Sequence, residues 1–279
     1  MAALARGLAD NCPVTVPIND LEHAAAPGWR AVEEEKLGEW LLRAAGGFTG
    51  RANSALAAGD PGRPLPEAID AVREWYAARG LPATIAVPYP TGRPCDSALD
   101  RLLSGLGWTI RTAAATVMTA EPADVAGRAG RPDLPVDFDS VPDEAWLARY
   151  HYRGQDLPPV AFQVLTSAPW QEFASIRAEG QAVAIGRVAG GGEWAGVTAI
   201  EVAEERRRQG LARAVTGALA ARAAARGATG LYLQVTDDNH GARALYRRLG
   251  FTDHHGYHYR VASADHGRRA RRDSEAAPK

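Results

Sequence analysis

The sequence predicts an α/β protein made of two related halves, with its chemistry in the second. The order helix, strand, helix, Leu-Gly-aromatic stop and extended segment occurs twice at similar spacing. Three apolar, alternating stretches between residues 171 and 202 read as strands. A tight basic loop, Glu204–Gly210, joins the last of these strands to an Ala-rich helix.

Composition narrows the class. A chain of 279 residues can hold two domains, each burying its own core. A net charge of −1 gives no overall field for nucleic acid or membrane, so neither partner is expected. The two cysteines, Cys12 and Cys95, are far apart in sequence. They argue against a disulfide framework or a cysteine-rich metal site and fit a reducing, cytoplasmic setting. No apolar run approaches a membrane span, and MAALARGLADNCPV is a weak signal-peptide core.

Four segments follow in order. Residues 1–120 form the first half. Residues 121–139, rich in Pro, Gly and Asp without periodicity, read as a linker. Residues 140–262 form the second half. Residues 263–279, with Arg268, Arg269, Arg271 and Arg272, read as a solvated, disordered basic tail.

In the first half a helix leads through Ala77-Ala78-Arg79-Gly80 to the strand Thr84–Val87, and later to Leu106-Gly107-Trp108. In the second, a helix leads through Ala224-Ala225-Arg226-Gly227 to the strand Leu231–Val235, and later to Leu249-Gly250-Phe251. A Gly after the last helical residue is the expected terminator. Extended segments follow both stops, Thr109–Thr119 and Thr252–Val261. The copies differ where chemistry would occur. Pro61 and Pro64 deprive the first-half loop of two amides, and Leu103 stands where the second half has Tyr246.

The second half reads as strands Gln171–Arg177, Ala182–Val188 and Trp194–Val202, with a hairpin turn at Gly190-Gly191-Gly192. The basic loop then meets a helix from Leu211 to Arg226. Loop amides aimed at one point beside a helix N-terminus make an anion site, with Arg207, Arg208 and Arg213 adding charge. Gly210 supplies backbone freedom, and Ala212 keeps bulk away from the ligand.

Arg207-Arg208-Gln209-Gly210-Leu211-Ala212 resembles the R/Q-x-x-G-x-G/A motif of the GNAT acetyltransferases. Asn239, Ala242, Leu245-Tyr246 and Gly250-Phe251 resemble that superfamily's second signature. The match covers about residues 140–262. The whole chain is similar to actinobacterial tandem-GNAT proteins with a degenerate first copy. Trp40-Leu41-Leu42-Arg43, Gly50-Arg51-Ala52-Asn53-Ser54 and His254–Arg260 strengthen that likeness.

The resemblance implies a mixed, mostly antiparallel sheet flanked by helices in each copy. It implies acetyl-CoA as co-substrate; no metal is expected. Amides from Arg207 to Ala212 would hold the pyrophosphate. The backbone at Ile200 and Val202 would pair with the pantetheine arm. Asn239 would bond the pantetheine or cap the next helix. Tyr246 would protonate the departing thiolate. With reference pKa values of about 10 and about 8.5, that transfer is uphill by about 2 kcal/mol. A strand amide near Ile200–Val202 would serve the oxyanion.

Three routes stay open for taking the amine's proton: Glu201 on the central strand, a water relay, or an amine arriving neutral. Strand alternation puts Glu201 opposite Ile200 and Val202 unless a bulge intervenes. Around an acceptor pocket, the expected helix from Asp143 to Tyr152 would offer Trp146, Tyr150, His151 and Tyr152. His254 and His258 are expected on one strand face and His255 on the other, with no acidic or cysteine ligand to complete a metal site.

The expected activity is N-acetyl transfer to a primary amine of a small molecule. A protein N-acetyltransferase and a non-catalytic acetyl-CoA-binding regulatory module are the alternatives.

Overall fold

The computed structural model describes residues 16–111, 114–130, 134–151 and 156–263. The first half runs α1 (Ile18–Ala25), β1 (Glu33–Leu37), β2 (Trp40–Ala44), β3 (Ala55–Leu56), α2 (Leu65–Ala77), β4 (Thr84–Pro90), α3 (Ala98–Gly105), β5 (Thr109–Ile110) and β6 (Ala115–Ala120). The second opens with α4 (Pro122–Ala129), β7 (Asp137–Asp139), α5 (Glu144–Arg149) and α6 (Val160–Leu165). It continues with β8 (Trp170–Ala178), β9 (Gln181–Gly190), β10 (Trp194–Val202), α7 (Leu211–Ala225), β11 (Gly230–Thr236), α8 (His240–Arg248) and β12 (Thr252–Val261). Cys12, Tyr152 and the tail arginines lie outside the described residues. Among the described residues, no helix is long and apolar enough to cross a membrane.

The strands join one twelve-stranded sheet in the order β1-β2-β3-β4-β12-β6-β11-β10-β9-β8-β7, with β5 on β12. Pairs β3–β4 and β10–β11 are parallel and the others antiparallel. The sheet is mixed and mostly antiparallel, as the resemblance implied, but it is one sheet shared by both halves rather than one in each copy. Both Leu-Gly-aromatic stops close their helices in the same way. Trp108 N–H donates to Leu103 O at 3.0 Å, and Phe251 N–H to Tyr246 O at 3.0 Å.

The halves are joined by exchange of strands. β6 ends the first half but pairs along β11, from Leu231↔Ala120 to Thr236↔Ala115. β12 ends the second half but pairs along β4, from His255↔Pro90 to Val261↔Thr84. β6 and β12 also pair with each other. Residues 1–120 and 140–262 therefore do not each close a sheet from their own strands.

The expected linker, 121–139, holds α4 and β7. Pro122 occupies a first-turn position, Asp124 lies near the N-terminus and Arg128 near the C-terminus, so the stretch carries ordinary helix signals. α4 packs on α7 where Ala129 faces Gly217.

Two apolar layers sandwich the second-half strands. Val188, Val197, Val215, Leu219 and Leu233 fill the α7 side. The opposite layer combines Trp29 and Phe48 from the first half with Trp146, Phe173 and Ile185 from the second.

Candidate active site

The site begins where two parallel strands part. β10 and β11 pair only from Trp194↔Gly230 to Gly196↔Tyr232, although β10 runs on to Val202. The Tyr232 side chain crosses Gly196: a Cβ there would lie 2.4 Å from the Tyr232 hydroxyl oxygen. That hydroxyl donates to Ala25 O at 2.9 Å. Beyond this point, among the described residues, the edge of β10 facing β11 has no strand beside it. Such an edge offers N–H and C=O groups to an extended ligand arm.

A bulge then re-aims the strand. Thr198 faces Arg187 on β9 but Glu201 faces Ile185, so two residues on β10, Ala199 and Ile200, oppose the single Gly186 on β9. Ala199 takes up the extra residue at φ 54°. Ile200 and Val202 pack with the α7 layer. Thr198 and Glu201, three apart, therefore share the other face. There Glu201 accepts the His151 N–H at 3.1 Å on each carboxylate oxygen. Burial raises its pKa above the ordinary carboxylate value, against the lowering effect of His151.

The basic loop leads into an uncapped helix. Gly210 is left-handed at φ 81°, and no side chain caps α7. The first backbone bond into the helix runs from Ala214 N–H to Gly210 O at 3.0 Å. The amides of Gly210, Leu211 and Ala212 precede it, as an anion cradle requires. A Cβ on Gly210 would meet nothing within 4 Å, so the space above is open. Arg207 differs from the rest: its N–H already donates to Glu204 O at 3.2 Å, and its side chain pairs with Glu204 at 3.4 Å. Arg208, Gln209 and Arg213 are exposed beside the loop.

Tyr246 is buried on α8, edge-on to Phe251 with ring centroids 5.8 Å apart. Its hydroxyl bonds to no described residue. Burial lifts its pKa to about 12. Against a thiol near 8.5, proton transfer is then uphill by about 5 kcal/mol rather than about 2. Asn239 caps α8, its Oδ1 accepting Ala242 N–H at 3.1 Å.

The split opens into a cleft of about 500 Å³. Thr198 and Ala199 line one wall and Gln234 and Thr236 another. Of the four expected acceptor-pocket residues, Tyr150 lines it and His151 sits against Glu201. Trp146 is core instead, donating from Nε1 to Ala174 O at 3.1 Å and packing edge-on to Phe173. Sequence reasoning missed the walls from elsewhere: Trp29, Thr49 and Arg51 of the first half, and Tyr257 and Tyr259 of the exchanged β12. The Gly50–Ser54 segment was a signal, but nothing in it indicated a place.

The corresponding first-half loop is filled by its own carboxylates. Glu39 Oε2 accepts Asp60 N–H at 2.5 Å, and Asp60 Oδ1 accepts Gly62 N–H at 2.7 Å. Two negative side chains stand where an anion would bind. Leu103, in the place of Tyr246, is fully buried.

The histidines depart from their expected faces, because β12 slips register between Asp253 and His255. His254 and His255 turn together, Nδ1 to Nδ1 at 2.8 Å, with His255 Nε2 2.8 Å from Glu22. His258 points the other way, 2.7 Å from Asp100. Contrary to expectation, Asp100 and Cys95 do lie beside it. Asp100 also holds Arg260 through both oxygens, at 2.8 and 2.9 Å, so the cluster is already charge-balanced. The Arg260 guanidinium would repel a cation there.

The family model "Probable histone acetyltransferase Rv0428c C-terminal" matches residues 15–260. The chain is 33% identical to the probable histone acetyltransferase Rv0428c of Mycobacterium tuberculosis, over 93% of this chain and 78% of that protein. It is 26% identical to the uncharacterized N-acetyltransferase YobR of Bacillus subtilis, over 88% of this chain and 98% of YobR. A GCN5-related N-acetyltransferase from Kribbella flavida shares the fold at TM-score 0.62 and 21% identity, covering 88% and 94% of the two chains. A tandem GNAT protein from the clavulanic acid pathway does so at TM-score 0.58 and 15% identity, over 76% of each.

Proposed function

Since the chain belongs to the Rv0428c C-terminal family of GNAT N-acetyltransferases, we propose that it acetylates a primary amine of a small molecule. The observation that carries this reading is the cleft of about 500 Å³, walled by both halves. That volume lies within the range of small-ligand pockets.

The residues fit acetyl-CoA, which supplies an activated acetyl group when bound. The uncapped α7 terminus and the amides from Arg208 to Ala212 take the pyrophosphate, with Arg208 and Arg213 beside them. The free edge of β10 through Ile200 and Val202 pairs with the pantetheine. Glu201 draws the proton from the amine, directly or through water. An amide at the bulge stabilises the oxyanion. The Tyr246 hydroxyl returns a proton to the leaving sulfur.

Acetyl-CoA turnover against a panel of amines, read as free thiol, tests the reading. Small amines are expected to be acetylated faster than a histone-tail peptide. The reverse order would favour the protein-acetylating reading, which the name of the Mycobacterium tuberculosis relative suggests. Binding without turnover across the panel would favour a regulatory module. Calorimetry is expected to find one acetyl-CoA site per chain, because Glu39 and Asp60 fill the first-half loop; two equal sites would contradict this. Tyr246→Phe is expected to lower kcat about 10²-fold with acetyl-CoA affinity unchanged. Wild-type turnover in that variant would remove Tyr246 as the acid.

A further inference from the structure

We propose that Arg51, in the half without the CoA cradle, anchors a carboxylate of the acceptor, so that the acceptor is an amine that also carries a carboxylate. This rests on the acetyl-transfer reading above and adds the acceptor's chemical class.

Arg51 is presented by a rigid loop. Asn53 Oδ1 accepts the N–H groups of Ala45 at 2.8 Å and Gly47 at 2.9 Å. Its Nδ2 donates to Phe48 O at 2.6 Å and Thr49 O at 2.9 Å. Arg43 ties the same segment down from below, donating from Nε to Ser54 O at 3.1 Å. The loop therefore holds its shape without help from Arg51.

The Arg51 guanidinium, by contrast, donates to no described residue. Its Nε and Nη1 are buried without a partner. Its contact is with the Trp29 ring, 5.1 Å from Cζ to the centroid. Arg187 lies equally close to that ring, but Leu165 O and Gly28 O accept its hydrogen bonds at 2.8 and 3.0 Å. Among the described residues, no carboxylate pairs with either cation. Glu22 borders the small void of about 20 Å³ that Arg51 also lines, yet its Oε1 is engaged 2.8 Å from His255. Asp238 lines the cleft and forms no ion pair with Arg51. A half-buried guanidinium whose Nε and Nη1 lack hydrogen-bond partners and a counter-charge is costly, so a site of this kind fits an anion brought by a ligand.

The ligand's charge follows from the walls. Arg51 and Asp238 are the charged residues lining the cleft. One cation and one carboxylate match a zwitterion better than a dianionic phosphate. The planar guanidinium can hold a carboxylate through two parallel N–H donors. Trp29, Tyr150, Tyr257 and Tyr259 supply apolar walls between, and Thr198 and Ala199 line the same cleft. A small amino acid can thus place its carboxylate at Arg51 and its amine toward the bulge.

The test is acetyl-CoA turnover by the full chain with α-, β- and ω-amino acids, each paired with its carboxamide. The acids are expected to be preferred by at least about 10²-fold in kcat/KM. Arg51→Gln should raise KM for the acids and erase that preference, with the KM of acetyl-CoA unchanged. Arg51→Lys should recover part of it. Where turnover is seen, equal rates for acid and amide with the wild type, or equal losses on both in Arg51→Gln, would overturn the anchor. A second readout is independent of turnover: the thermal midpoint with CoA plus N-acetylglycine or N-acetylglycinamide. A rise with the acid alone, absent in Arg51→Gln, sustains the anchor even if no amine is acetylated, and only the transfer reading would then fall. No carboxylate-dependent difference in either readout overturns the anchor.

Discussion

Glu201→Gln is expected to cut kcat/KM by about 10²- to 10⁴-fold and to abolish the acidic limb of its pH profile. The bulge at Ala199 carries this expectation, because it places Glu201 on the face of Thr198, which lines the cleft. Only the ionised carboxylate can take a proton. Below its pKa the active fraction falls tenfold per pH unit, and burial moves that break above the ordinary carboxylate value. Gln keeps an oxygen for the His151 N–H, so the local bond survives the change. Stability should not fall either. A carboxyl whose pKa is higher folded than unfolded costs stability as pH rises through that window, and Gln removes the cost. A kcat/KM profile that keeps both its height and its acidic limb in the variant would leave water relay or a neutral amine as the route.

Local signals were legible where local chemistry decides structure. β10 runs from Trp194 to Val202 as read, because alternation and the Gly turn before it are properties of adjacent residues. The loop before Leu211 and the stops at Gly107 and Gly250 are likewise short-range. The bulge left no mark: Ala199 adopts a positive φ that its residue type does not advertise. The cleft's far wall was hidden for a different reason. Pro61 and Leu103 drew attention away from the first half, and that reading obscured Arg51, whose place depends on how the halves pack. The segments Trp40–Arg43 and Gly50–Ser54 are pinned together by Arg43 and Ser54. They form a scaffold for the neighbouring half, which strand alternation cannot reveal.

Strand exchange yields the other large expected effect: neither residues 1–120 nor residues 121–279 should fold when expressed alone. Both segments 109–119 and 252–261 were legible as extended, but their partners were not, since pairing joins residues more than a hundred positions apart. Without β6, the second half bares the β11 edge and the apolar surface that covers Val117 and Met118. Fully burying two such side chains contributes roughly 3–6 kcal/mol, close to the whole margin of a typical domain. Without β12, the first half keeps Asp100 but loses both His258 and Arg260, its buried partners. Removing one side of a buried ion pair costs about 3–5 kcal/mol. The remedy should be the other piece: co-expressed halves are expected to form a one-to-one complex with native far-UV circular dichroism and acetyltransfer activity. A cooperative unfolding transition from either piece alone would show that its strands suffice, and the two halves would then be independent domains that merely share an edge.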